Sequence, residues 1–155
     1  MCLIVVSHRK RDGVEFPKDT WRNIERTGEF VVHVVSDALG PAMNETSADF
    51  SYGTDEFEAA HLTKLPSERV APPRVAEAPV AMECRLDRIV ETGRGPSAII
   101  IGEILLWHVR DDLVVEGRLD AGRLDAIGRM GGSLYTRTRE VFSMTRPQLG
   151  KPRGA

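Results

Sequence analysis

Residues 80–109, VAMECRLDRIVETGRGPSAIIIGEILLWHV, decide the fold of this chain. The first eight of them place apolar side chains at even positions and mostly polar ones at odd positions, which is typical of a half-buried antiparallel strand. Residues 98–109 are apolar on both faces and indicate a second, more buried strand. Glycine and proline at 93–96 predict the turn between them. The stretch therefore predicts a long antiparallel pair at the centre of a mainly β domain.

Shorter β signals lie on both sides of this pair. Strands are predicted at residues 2–8, 29–35 and 113–115, with a last one at 141–144. The segment at 2–8 begins with five apolar residues, so the pattern predicts burial of both its faces. Asp12 and Gly13 predict a turn directly after it. Together with short helices, these strands predict a small barrel decorated by helices.

The first helix is predicted from its ends. Asp19 or Thr20 is expected to cap its N-terminus, because either side chain can accept a hydrogen bond from a free backbone N–H. Trp21 and Ile24 form its buried face, and Gly28 ends it.

Two further helices follow the same logic. Ser36 or Asp37 is expected to cap a short helix, and Thr54 or Asp55 is expected to cap another over residues 56–62. Residues 128–132, GRMGG, are interpreted as a glycine-rich loop.

The length of 155 residues suits one domain, which we place at 1–145. The proline-rich stretch 64–79 is interpreted as an ordered connector or edge segment within that domain, because the strands after it belong to the same β core. The tail, 146–155, is rich in proline, glycine and arginine and is predicted to be disordered.

Composition restricts the partners. A formal net charge of −2 argues against a nucleic-acid partner. No apolar stretch approaches the ~20 residues needed to cross a membrane. Two cysteines, Cys2 and Cys84, make neither a disulfide framework nor a zinc ligand set, and the four histidines lack metal-ligand spacing. We expect a cytoplasmic protein with reduced thiols and no metal.

Two polar stretches and one aromatic residue are candidates for ligand binding. Lys18 and Thr20, with Arg9 on the preceding strand, offer positive charge and a hydroxyl at a helix N-terminus, which suits a phosphate. Residues 44–49, NETSAD, carry amide and hydroxyl groups that match the polar edge of a planar ring. Tyr135 can stack on such a ring or donate its hydroxyl. The alternatives are an ordinary helix cap at the first stretch and a polar loop that closes a helix at the second.

Taken in order, these stretches resemble the flavin-reductase-like branch of the FMN-binding split barrels. The resemblance runs from about residue 3 to residue 144. It rests on Lys18-Asp19-Thr20-x-x-Asn23-Ile24, Thr27-Gly28-Glu29-Phe30-Val31-Val32, Met43-Asn44-x-Thr46-Ser47-Ala48-Asp49-Phe50, Pro72-Pro73-Arg74-Val75-Ala76-Glu77-x-Pro79-Val80, Ile101-Gly102-Glu103 and Gly128-Arg129-x-Gly131-Gly132-x-x-Tyr135-x-Arg137-Thr138.

The resemblance implies a homodimer that binds FMN and takes hydride from NADH or NADPH onto flavin N5, with no catalytic side chain of its own. It places Lys18 and Thr20 at the phosphate, Asn44, Thr46 and Ser47 beside the ring, and Tyr135 near the site. With the basic strand end added, the expected FMN contacts are Ser7, Arg9, Lys18, Thr20, Asn44, Thr46, Ser47 and Tyr135.

One departure from the family pattern bears on the fold and the activity. Family members usually carry some tens of residues before the strand that Leu3 to Ser7 match, and those residues supply the first barrel strands. We therefore expect a split β-barrel that is incomplete at its N-terminus. The alternatives to a reductase are a flavin-binding module without turnover and a truncated, non-catalytic family member.

Overall fold

The computed structural model describes residues 1–11, 13–91 and 97–147. The strands are β1 (Cys2–Arg11), β2 (Val14–Pro17), β3 (Glu29–Val34), β4 (Lys64–Leu65), β5 (Arg74–Val75), β6 (Val80–Glu91), β7 (Ser97–Val109), β8 (Val114–Val115), β9 (Arg118–Leu119), β10 (Ile127–Gly131) and β11 (Leu134–Arg137). The helices are α1 (Asp19–Thr27), α2 (Gly40–Glu45), α3 (Glu56–Ala59) and α4 (Ala121–Leu124). Within these described ranges, none of the helices has the length and apolar character needed to cross a bilayer.

A five-stranded antiparallel sheet in the order β2-β1-β7-β6-β3 organises the chain. The predicted long pair is confirmed, since β6 and β7 pair from Val80↔Val109 to Glu91↔Ala98. β1 lies on the other side of β7, with Cys2 opposite Gly102. The turn predicted at 93–96 lies outside the described residues, as does Asp12 of the other predicted turn.

The core lies between one face of this sheet and α1. Trp21 and Ile24 are the buried residues of α1, as predicted. The helix ends at Gly28, where φ is 71° and the backbone N–H donates to the carbonyl of Ile24. Glycine suits this left-handed position because it has no Cβ to clash. The buried cluster comprises Val6, Trp21, Ile24, Phe30, Cys84, Ala98 and Ile100.

The prediction that β1 is buried on both faces is wrong. Val6 is buried, and Cys2 and Ile4 pack against the core, but Leu3 is 60% exposed and Val5 is 65% exposed. Successive residues of a strand point to opposite faces. The core covers only one of those faces, so the alternate apolar residues of β1 lie on the surface.

The predicted cap of α1 is also wrong. Lys18 is the capping position, and it makes no side-chain hydrogen bond to the helix. Asp19 is the first helical residue, and its carboxylate lies 3.8 Å from Arg9 Nη1 and 3.8 Å from Arg22 Nη1. The two guanidinium groups attract the carboxylate away from the backbone donors of the helix.

The other two caps have different outcomes. α2 begins at Gly40 after Leu39, without a side-chain cap, so neither Ser36 nor Asp37 has the predicted role. The cap of α3 is confirmed, because Asp55 accepts a hydrogen bond of 3.1 Å from the N–H of Phe57. That helix is shorter than predicted and ends at Ala59.

The C-terminal part also differs from expectation. The glycine-rich stretch 128–132 is largely strand β10, which pairs with β11 in a two-stranded hairpin. Leu113 ends a 3₁₀ turn, and only Val114–Val115 form the predicted short strand. Residues 141–144 form no strand, and their apolar side chains are exposed. The expected tail lies mostly outside the described residues, which end at 147.

Residues 64–79, termed the strap below, form an ordered connector as predicted. The strap contains one short ladder, in which Lys64 pairs with Val75 and Leu65 with Arg74. It joins α3 to β6 and lies beside β3.

Candidate functional site

An open cavity of about 800 Å³ lies between α1, β3, α3 and the strap. We call it the first cavity. Its lining is mainly apolar, with a few polar groups at intervals. Among the residues that line it are Thr20, His33, Met43, Thr46, Phe57 and Val75.

A second cavity of about 570 Å³ lies between α2 and the β10–β11 hairpin. Asn44 and Tyr135 line it together. Met43 lines both cavities, so the two are neighbours.

The structure divides the eight predicted contacts into groups. Thr20 and Thr46 line the first cavity, and Asn44 and Tyr135 line the second. The remaining residues, Ser7, Arg9, Lys18 and Ser47, line neither cavity.

Arg9 lies beside the start of α1. Its side chain is only 17% exposed, and Nη1 donates to the carbonyl of Phe50 at 2.9 Å. Its Nε lies 3.4 Å from Oδ1 of Asp49 but makes no hydrogen bond, since the geometry is unfavourable. Asp49 itself is 82% exposed. A buried guanidinium N–H without an acceptor therefore adjoins a helix N-terminus that no side chain caps.

Lys18 and Ser7 are two further predicted contacts outside the cavities. Lys18 is exposed at the entry to α1, where its ammonium can move without disturbing the fold. Ser7 is half-buried on β1, two residues before Arg9, so both side chains lie on the same face of the strand. The cations Arg9 and Lys18 and the hydroxyl of Thr20 thus lie at or beside the start of α1.

The hydroxyls after α2 make local bonds. Thr46 Oγ1 donates to the carbonyl of Met43 at 2.7 Å, and Ser47 Oγ donates to that of Asn44 at 2.6 Å. These bonds are those of a polar loop that closes a helix, the alternative considered for this stretch. Both oxygens keep lone pairs that can accept a hydrogen bond from a ligand.

Ion pairs position Tyr135 and its hairpin. Arg137 Nε lies 2.8 Å from Oδ1 of Asp37, and Arg139 Nη2 lies 2.6 Å from Oδ2. Arg139 also bonds Asp125 at 2.8 Å. The hydrogen bond from Arg137, together with both guanidinium charges, holds the pKa of Asp37 below its ordinary value. Asp37 therefore joins the hairpin to the turn before α2 instead of capping that helix.

Sequence reasoning missed the role of Glu83. The alternating pattern placed Glu83 on the exposed face of β6, yet its side chain is 0% exposed. The strap folds over that face, and a register shift occurs between Glu83 and Cys84. The carboxylate accepts hydrogen bonds from the backbone N–H of Glu68 at 2.9 Å and of Arg69 at 2.6 Å. Nε2 of His108 lies 2.6 Å from its Oε1.

The pKa of Glu83 reflects both its burial and these hydrogen bonds. Burial alone raises it, but the hydrogen bonds from Glu68, Arg69 and His108 outweigh burial and hold the pKa below its usual value. The carboxylate is therefore charged and fully satisfied by the strap and β7.

His33 is a half-buried polar group beneath the strap. Its Nε2 accepts a hydrogen bond of 3.0 Å from the backbone N–H of Val75, so the imidazole is neutral. Burial, with a smaller contribution from the charge of Arg74, lowers its pKa to about 4. The only sequence signal was its position inside a strand pattern, which suggested a packed or surface histidine. In the part of the chain that the structure describes, no three His, Cys, Asp or Glu side chains form a metal-ligand group.

An open antiparallel sheet with a helix on its inner face, beside a cavity near that helix, defines the class as a split barrel. Residues 3–125 match the family described as the flavin reductase like domain. The chain belongs to this family, and both the predicted resemblance and the predicted fold class are confirmed.

Three comparisons illustrate the relationship. An uncharacterised protein of Deinococcus radiodurans is 43% identical over 134 residues, and the match covers 84% of this chain and 58% of the relative. Nitrilotriacetate monooxygenase component B from Bacillus cereus superposes with a TM-score of 0.83 at 34% identity, covering 92% of this chain and 70% of that one. Flavoredoxin of Desulfovibrio vulgaris superposes with a TM-score of 0.74 at 26% identity, covering 92% and 73%. The chain thus spans 58% of the length of the Deinococcus relative.

Proposed function

We propose that this chain binds FMN and acts as an NAD(P)H-dependent flavin reductase or oxidoreductase. Membership of the flavin reductase-like family and the likeness to a flavoredoxin support a flavin-related redox role. The observation that carries the specific proposal is the unsatisfied Nε of Arg9 beside the uncapped start of α1.

This helix end fits a phosphate. Backbone N–H groups and the dipole of a helix favour an anion at its N-terminus. Arg9 and Lys18 add positive charge, and Thr20 adds a hydroxyl. Asp49 is the opposing charge nearest to Arg9 Nε, and its exposure lets the carboxylate rotate into water when a phosphate takes its place. Asp19 remains paired with Arg22.

The first cavity fits a planar ring. Its volume of about 800 Å³ lies within the range of small-molecule sites, and such sites combine apolar walls with a few polar groups. Thr20 is at the helix start and also lines this cavity, so one ligand can reach both. Asn44 and Tyr135 line the second cavity, on the other side of Met43, where they could contact a second planar group.

Bound FMN would supply the redox chemistry, with N5 as the hydride acceptor and NADH or NADPH as the donor. The residues of this chain would bind the phosphate, orient the ring and exclude water from it. No side chain is assigned a catalytic role.

We also propose that the protein works as a homodimer in the cytoplasm. Leu3 and Val5 leave apolar surface on the outer face of β1, which a second copy could cover. Both cysteines are free thiols, as a reducing compartment favours. Size-exclusion chromatography with light scattering tests the dimer, and a monomer at micromolar concentration would contradict it.

Anaerobic titration with FMN, followed by addition of NADH or NADPH, tests the proposed activity. The expected result is a bound, yellow flavin that bleaches faster than free FMN does under the same conditions. Bound FMN without bleaching would favour a binding module without turnover. A colourless protein with no thermal shift in excess FMN would contradict the proposal, because a tightly bound ligand adds several kcal/mol of stability.

The phosphate site is tested by the double variant Lys18→Ala, Thr20→Val. We expect it to weaken FMN binding by ~2 kcal/mol, about thirtyfold in Kd, because it removes charge-assisted hydrogen bonds. Fluorescence titration of FMN measures the change. Riboflavin, which lacks the phosphate, should lose much less affinity than FMN does in this variant. Arg118→Ala, which removes an exposed cation of β9 that lines neither cavity, is the matched control. An unchanged Kd for FMN in the double variant would contradict this assignment.

A further inference from the structure

The strap forms one wall of the first cavity through Ala71, Pro72, Pro73 and Val75. Besides its short ladder, the strap has internal hydrogen bonds from Ser67 Oγ to the carbonyl of Pro72 and from the guanidinium of Arg74 to that of Pro66. These bonds shape the strap but do not attach it to the sheet. The placement of this wall therefore depends on side chains outside the strap.

Glu83 holds the middle of the strap. Its carboxylate receives the backbone N–H groups of Glu68 and Arg69, and Nε of Arg74 lies 3.7 Å from its Oε1. His108 completes the set from β7. The strap therefore cannot lift from β6 without breaking the charge-assisted hydrogen bonds that the N–H groups of Glu68 and Arg69 donate to this carboxylate.

Strand β3 holds the part of the strap that faces the cavity. Ala71 N–H donates to Oε2 of Glu29 at 2.7 Å, and Val75 N–H donates to Nε2 of His33 at 3.0 Å. Residues 71–75 are thus bonded on one side to β3, while Glu83 on the adjacent strand β6 secures the residues just before them.

We propose that Glu83 is a positioning residue that fastens the strap over the first cavity and thereby controls how fast a ligand enters and leaves. Glu83 does not line the cavity, so its effect passes through the strap. The proposal rests on the proposed function to the extent that FMN is the ligand, and its test includes a readout that needs no flavin.

The test compares Glu83→Gln with Glu77→Gln. Glu77 is the matched control, because its exposed carboxylate also accepts a backbone N–H, that of Thr63 at 3.1 Å, but it lies outside the cavity. In Glu83→Gln, amide hydrogen exchange across residues 68–75 of the ligand-free protein should be faster by about tenfold or more, because a neutral amide accepts the N–H groups of Glu68 and Arg69 less strongly than the carboxylate does. Glu77→Gln should leave that stretch unchanged.

Access to the cavity is measured by labelling the variant Val31→Cys, in a Cys2→Ser background, because Val31 lines the cavity. Reaction of this thiol with a soluble disulfide reagent should be several times faster with Glu83→Gln than without it. Release of FMN, followed by stopped-flow fluorescence, should accelerate in parallel. If Glu83→Gln folds poorly, Arg74→Gln removes a cation of the strap that lies 3.7 Å from the same carboxylate, and it should change exchange, labelling and release in the same direction.

Each result decides the question. Unchanged exchange at 68–75 overturns the fastening role. Faster exchange with unchanged thiol labelling overturns the control of access, and so does unchanged FMN release in a protein that binds FMN. If the parent binds no FMN, the proposed function fails, while exchange and labelling still decide the role of Glu83.

Discussion

Gly102→Ala should lower the free energy of unfolding by about 3 kcal/mol, near the upper end of what overpacking a core costs. A Cβ on Gly102 would lie 2.5 Å from Cζ and 2.8 Å from Cε1 of Phe30, distances that carbon atoms do not adopt. The carbonyl oxygen of Arg85 would be 3.2 Å away on the same side. Phe30 is buried in the core, so its ring has little room to retreat. Urea denaturation followed by tryptophan fluorescence, to which the buried Trp21 contributes, measures the loss.

Two variants separate overpacking from a general effect of glycine replacement. Gly128→Ala should be nearly neutral, because its Cβ would meet only Thr136 Cγ2 at an ordinary 3.4 Å. Phe30→Leu has a cost of its own, but it should reduce the further cost of Gly102→Ala, since the clashing ring atoms are gone. Equal costs of Gly102→Ala in the presence and absence of the Phe30 ring would show that the ring is not the cause.

His33 should make the stability depend on pH below neutrality. Its pKa falls from 6.5 in an unfolded chain to about 4 in the folded protein, chiefly because the imidazole is buried. The unfolded state then binds more protons between these values, so stability rises with pH across that window. The contribution is fully present above pH 6.5 and is lost as the pH falls toward 4. At most about 3 to 4 kcal/mol of unfolding free energy is involved, at 1.36 kcal/mol for each pKa unit.

The measurement is a series of urea titrations from pH 4 to pH 7.5 on the parent and on His33→Gln. Glutamine can still accept the N–H of Val75 but does not titrate, so the difference between the two curves isolates the imidazole. The slope of stability against pH should be smaller in His33→Gln over the whole window. His61→Gln, which changes an exposed histidine, is the control. Parallel curves for the parent and His33→Gln would contradict the assignment.

Local patterns predicted the fold well where each residue's immediate neighbours decide its structure. The alternation at 80–87 and the apolar run at 98–109 predicted the β6–β7 pair. Trp21 and Ile24 marked the buried face of α1, and Gly28 marked its end. Spacing along one chain segment contains this information, because the periods of strands and helices are fixed by the backbone.

Predictions failed where a distant segment competes for the same group. The local sequence predicted Asp37 as a helix cap. In the structure its carboxylate instead pairs with Arg137 and Arg139, which lie about a hundred positions later in the chain. The alternating pattern predicted an exposed Glu83, but the strap covers its side chain in the structure. Leu3 and Val5 looked buried because an apolar pattern does not say which face of a strand receives a second layer.

The candidate site, too, was predicted from the sequence only in part. The ordered motifs predicted the family, and with it a flavin as the expected ligand, because the residue types that suit a phosphate and a polar ring edge can be read from the chain. The sequence did not show that Thr46 faces one cavity while Asn44 faces the next.

The sequence by itself determined the β6–β7 pair, strand β3, the helix over the core and the family, since these follow from local periodicity and from ordered motifs. Only the tertiary structure decided which charges are partnered and which surfaces are covered. The surroundings of Arg9 Nε include Asp49, which lies 40 positions later in the chain. The buried carboxylate of Glu83 is bonded by Arg69, which lies 14 positions earlier. Hydrogen bonds and burial are set by distance in space, which the order of residues along the chain does not give.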